Sequence, residues 1–169
     1  MTTSILVSTA IGSILLFIQT TWLRNGLFWG VIPDLALLLI LWVSYNNKGL
    51  EGCITAFLSG IVCDLLSSAP LGYTSFLYIL PAYAVSFARK VVDMDRFILP
   101  VLLGFSSTLL KGVASMILAL IFGRELVDSY SFGDLRFWVE AALNGALAAP
   151  FFFLFKKLNR LLVTRKPSE

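Results

Sequence analysis

Residues 49–73 read GLEGCITAFLSGIVCDLLSSAPLGY. On a helix of 3.6 residues per turn, Gly49, Gly52, Cys53, Ala56, Gly60, Cys63, Asp64 and Ser67 fall within about one third of the circumference. Leu50, Ile54, Phe57, Leu58, Ile61 and Leu65 fill much of the rest. One face is small and polar; the other is bulky and apolar. In a bilayer a small face lets another backbone approach closely, and a bulky face meets lipid. The stretch reads as a central membrane helix that turns Asp64 into the bundle. A carboxylate at membrane depth costs about 2.5–3.5 kcal/mol on insertion scales, so it calls for a partner or a task. The competing reading sets Asp64 at the interface, reaching water. Against that, Asp64 lies in the last turn and faces the negative end of its own helix dipole, so a cation or hydrogen-bond donor is worth more to it than usual.

The rest of the chain is as apolar. Of its 169 residues, 58% are hydrophobic and 14% charged, and mean hydropathy is +0.87. Soluble proteins carry about 25% charge. Apolar runs of spanning length recur, and roughly 20 residues cross a bilayer. The runs are continuous where a membrane barrel would need alternation. The expected fold is an all-α integral membrane protein with six transmembrane helices, a single domain over 1–169 with a short basic tail at 156–169. The spans are read as Ser4–Leu23, Leu27–Tyr45, Leu50–Leu66, Leu71–Ala88, Phe97–Phe122, and Leu135 to beyond Phe155. Arg24–Gly26, Asn46–Gly49 and Ser67–Pro70 read as the turns, with Pro70 suited to the first turn of the fourth helix. The first run lacks a basic n-region and a small-residue cleavage site, so it reads as an anchor.

Basic residues orient the bundle. In a six-span arrangement nine of them share one side: Lys48, Arg89, Lys90, Arg96, Lys156, Lys157, Arg160, Arg165 and Lys166. Arg24, Arg124 and Arg136 lie opposite. Both termini are therefore expected in the cytoplasm. The acids Glu125, Asp128 and Asp134 then mark the longest outer loop. Trp22, Trp29 and Trp138 read as anchors at the outer interface and Trp42 at the inner one. Pro81, Pro100 and Pro150 read as kinks or packing adjustments, which membrane helices tolerate.

Lys111 remains inside the fifth span. Pro100, Gly104, Ser107, Thr108 and Ser115 share its face, while Leu102, Phe105, Leu109, Val113, Met116 and Leu120 lie opposite. The lysine faces protein, and its stem can lift the ammonium outward. Three acids could meet it: Asp34, Asp64 and Glu140, with Asn144 one turn beyond Glu140. This intramembrane polar cluster is either a pocket open to the outside, holding a ligand or ion, or a set of internal ties that fix helix register. Gly52, Ala56, Gly60 and Cys63 on the third span, with the Ala141, Gly145, Ala149 seam on the sixth, read as a helix-packing or partner face.

Several chemistries find no residues to carry them. There is no histidine. Cys53 and Cys63 are about 15 Å apart on one helix and cannot pair. No phosphate loop, metal set or nucleophile elbow occurs. The chain is expected to be no enzyme, to need no cofactor or metal, and to bind no nucleic acid. Its basic tail suits anionic lipid, at about 1 kcal/mol per charge near the surface.

From Pro33 to Tyr83 the chain resembles the bacterial rod-shape-determining MreD family. The resemblance rests on Pro33-Asp34-Leu35 opening an aliphatic span and on Gly49 after a polar turn. It continues through Phe57-x-x-Gly60-x-x-x-Asp64-Leu65-Leu66 and Pro70-Leu71-Gly72 to an aromatic fourth span. It implies a non-enzymatic inner-membrane scaffold of the cell-elongation machinery. The implied main partner is MreC, with the MreB filament and a wall polymerase–transpeptidase pair nearby. The family is also similar to the S components of energy-coupling-factor vitamin transporters. Those carry Ala-x-x-x-Ala on the first span, where this chain has Ser8-x-x-x-Gly12.

Overall fold

A computed structural model of the chain describes residues 2–21, 30–47, 50–67, 69–89, 97–123 and 132–157. They form six helices: α1 (Thr2–Thr21), α2 (Leu35–Asn46), α3 (Glu51–Leu66), α4 (Tyr73–Ala88), α5 (Ile98–Phe122) and α6 (Leu135–Lys157). Three of them, α1, α5 and α6, are long and apolar enough to cross a membrane. α2 and α4 are shorter apolar helices.

The centre of the bundle is α2, in place of the small-faced α3 that the sequence pattern favours. Every residue from Leu35 to Ser44 is buried, and α2 touches all five other helices. The cause is in its sequence, LALLLILWVS, which is apolar on every side; a helix of that kind belongs in an interior. Around it the helices follow the order α1, α3, α4, α5, α6. Trp42, expected as an interfacial anchor, is part of this interior and meets Phe152 of α6 edge-on, with ring centroids 5.3 Å apart. Trp138 is exposed and donates to the Phe132 carbonyl at 2.9 Å. Trp22 and Trp29 lie outside the described residues.

α3 packs through its small residues, each against a different neighbour. A methyl group on Gly52 would sit 2.6 Å from Ser44 Cα of α2. One on Gly60 would sit 2.5 Å from the Ser75 backbone nitrogen of α4. A methyl group on Gly12 of α1 would sit 2.8 Å from the Ser59 hydroxyl oxygen, and Ala56 is fully buried. The buried arc is wider than the wheel suggests: Glu51, Thr55 and Ser59 are buried too, Ser59 against α1. Leu50, Phe57 and Leu65 remain exposed. The α6 seam is likewise internal. Ala141 is buried, Gly145 lies against Val101 and Phe105 of α5, and Ala149 is half-buried. Both small faces thus serve packing within the chain.

Two boundaries differ from the expectation. α2 begins at Leu35 instead of Leu27, and residues 30–34 before it are non-helical. Pro70 precedes α4 instead of entering it: its carbonyl accepts from Tyr73 N at 3.1 Å, closing a turn through Gly72, whose φ of 92° favours glycine. Pro81 and Pro150 lie inside continuous helices. At the opposite end of α2, Arg89 donates to the carbonyls of Tyr45 and Asn47 and so satisfies acceptors that the helix terminus leaves open.

Candidate functional site: a buried ion network beside an open cavity

α2 starts well inside the bundle, so its first N–H groups meet protein. A helix leaves its first four donors without intrahelical partners. Here Asp34 N donates to Asn144 Oδ1 of α6 at 2.8 Å, and Leu35 N donates to Gln19 Oε1 of α1 at 3.1 Å. Leu37 N donates to Asp34 Oδ1 at 3.0 Å, which makes Asp34 the N-cap. Side chains from α1, from α6 and from the cap residue itself thus secure one helix start.

The same Asp34 carboxylate receives the buried cation. Lys111 Nζ is 2.8 Å from Asp34 Oδ2 and 3.0 Å from Glu140 Oε1. Tyr78 OH of α4 donates to Asp34 at 2.9 Å. Asn144 Nδ2 donates to Thr108 Oγ1 of α5 at 3.0 Å, and Thr108 donates on to the Gly104 carbonyl at 3.0 Å. Asp34, Tyr78, Thr108, Lys111 and Asn144 are all buried. Five helices, α1, α2, α4, α5 and α6, are tied at this one level. A buried charge is tolerable where it is paired and its remaining hydrogen-bonding positions are filled, and Asp34 meets both conditions.

Asp64 belongs to a different arrangement. It is buried, but its carboxylate accepts from Gly72 N at 2.8 Å and Thr74 N at 2.9 Å. The acid at the unfavourable end of the α3 dipole is placed against the favourable, N-terminal end of α4. Lys111, one of the partners considered for it, is held by Asp34 and Glu140 instead. Asp64 therefore fastens α3 to α4. Asp64→Ala leaves two backbone donors unsatisfied and is expected to destabilise the protein by about 2 kcal/mol. Asp64→Asn, which keeps one acceptor, should lose about half as much. Thermal unfolding in detergent checks both, and an unchanged Ala variant would refute the capping role.

A cavity of about 540 Å3 opens beside the network. Gln19, Asp34, Tyr78, Lys111, Arg136 and Glu140 contribute polar lining, and Val31, Leu77 and Phe137 contribute apolar lining. Cys63 reaches this wall; Cys53 does not. Asp134 also lines the cavity and accepts from Arg136 N at 3.0 Å at the start of α6. Glu125 and Asp128, expected in the same loop, lie outside the described residues. Sequence reasoning missed Gln19 and Tyr78. Their signal was a polar tip on an otherwise apolar span, which is ordinary for tyrosine near an interface.

These features define a class: an all-helical protein, with three helices long and apolar enough to cross a membrane, fastened by a buried ion network. A sequence model of the rod shape-determining protein MreD matches residues 1–162. The chain belongs to the MreD family, a membrane family that acts in rod-shape determination. No curated protein and no solved structure matches it.

Proposed function

We propose that the chain is a non-enzymatic, six-span scaffold of the cell-elongation machinery in the inner membrane. In this reading it binds MreC and links it to the MreB filament and the wall polymerase–transpeptidase pair. The observation that carries the reading is that the buried ionisable groups engage one another and the backbone. Lys111 lies against Asp34 and Glu140, while Asp34 and Asp64 cap helices. That is the construction of a rigid body that holds position. Six spans are compatible with the short α2. Its 12 residues rise about 18 Å, and the five preceding non-helical residues reach up to about 16 Å more, together enough for a core of about 30 Å. The basic residues favour cytoplasmic termini.

Since the small faces of α3 and α6 are packed internally, MreC would meet an exposed apolar face. α1 offers Leu6, Ile14 and Phe17; α5 offers Val113, Ile117 and Leu120. Single cysteines along these stripes, paired with cysteines in the MreC membrane helix, test the docking. Crosslinks recurring every three to four positions on one stripe are expected, together with restored rod shape when the chain replaces the resident protein in depleted cells. Labelling by lipid probes alone would sink the MreC reading.

A second reading, a vitamin-binding S component, draws on the cavity, whose volume lies in the range of small-molecule sites. Against it, Ser8 and Gly12 are buried in the chain's own packing, where a gripping motif would need to be available. Thermal stabilisation by a vitamin would favour the second reading over the first.

A further inference from the structure

A second groove lies between α5 and α6, away from the ion network. It is an open groove of about 610 Å3, and its lining is almost wholly apolar. Ile98, Val101 and Leu102 form one wall; Ala142, Gly145 and Ala146 form its floor. We propose that this groove holds an acyl chain of an anionic phospholipid whose headgroup is bound by Lys156 and Lys157.

Helix geometry connects the two parts. At 100° per residue, Ala142, Gly145, Ala146, Ala149, Phe153, Lys156 and Lys157 fall on one face of α6. The floor of the groove and the two lysines therefore lie on the same face of α6, with Phe153 between them. Both lysines are exposed, and the Lys157 ammonium stands 5.5 Å from the centre of the Phe153 ring, on that same face. Ala146 and Lys156 are ten residues apart, or about 15 Å along the helix. That equals one leaflet of a hydrocarbon core about 30 Å thick. A headgroup at the lysines would thus carry its chain to the groove.

A flexible hydrocarbon chain suits an open apolar groove, and the paired positive charge selects an anionic headgroup over a zwitterionic one.

The test uses the full chain purified from vesicles of equal phosphatidylglycerol and phosphatidylcholine, with retained lipid read by native mass spectrometry. Phosphatidylglycerol is expected to be enriched over phosphatidylcholine. K156Q/K157Q, at exposed positions, should weaken its binding about thirtyfold, from about 1 kcal/mol per lysine. A146F, which fills the groove and keeps the charges, should displace it at unchanged thermal stability. Equal retention of the two lipids would overturn the proposal, as would full retention by either variant. Disulfide capture of A146C by a second copy, or by a partner's helix, in place of lipid would overturn it too.

Discussion

Lys111→Met is expected to lose about 3–5 kcal/mol of stability and with it most of the folded protein in the membrane. The ammonium lies 2.8 Å from Asp34 and 3.0 Å from Glu140. Methionine matches its length but leaves Asp34 charged and buried without its cation. Asp34 also caps α2 and receives Tyr78, so the loss reaches three helices. The decisive comparison adds Asp34→Asn and Glu140→Gln to Lys111→Met. These amides remove both charges, and the amide oxygen at position 34 can still accept from Leu37 N. The triple variant should recover at least half of the lost stability, a non-additivity expected within one network. Thermal unfolding in detergent measures it. A single variant as stable as the parent would refute the structural role. A triple variant that folds but does not support rod shape would assign the charges a task beyond packing.

Gly60→Val is expected to prevent α3 and α4 from closing. Even the methyl of alanine would lie 2.5 Å from Ser75 N. That neighbour is main chain within a helix, which cannot rotate away as a long side chain can. Overpacking typically costs about 1–3 kcal/mol, and rigid backbone places Gly60→Ala near the upper end and Gly60→Val beyond it. The same contact carries the Ser75 hydroxyl bond to the Phe57 carbonyl at 3.1 Å. Leu65→Ala on the exposed face is the control, with a change within about 0.5 kcal/mol. If Gly60→Val melts with the parent, the close approach of α3 and α4 is wrong.

The two variants probe features of different legibility. Gly60 could be read as a packing position because glycine, alanine and cysteine recur at helical spacing along residues 49–73. Lys111 could be read as inward-facing because its own face carries Gly104, Ser107, Thr108 and Ser115, all buried in the structure. Its partner could not be read. Asp34 is 77 positions away and Glu140 is 29, and three acids stood at comparable depth. Asp64 was the most visible of them, yet it turned to the start of α4.

By itself the sequence determined the helical membrane class, the places of the six described helices, the inward position of Lys111 and Asp64, and the family. These follow from periodicity and composition along single elements, where burial and backbone hydrogen bonding act locally. Only the tertiary structure decided which helix is central, that α2 starts deep and borrows its caps from α1 and α6, and which acid takes the lysine. Those choices depend on distances of about 3 Å between elements far apart in the chain. At that range charge pairing and backbone contact are strong, and nothing in the local pattern specifies which groups meet.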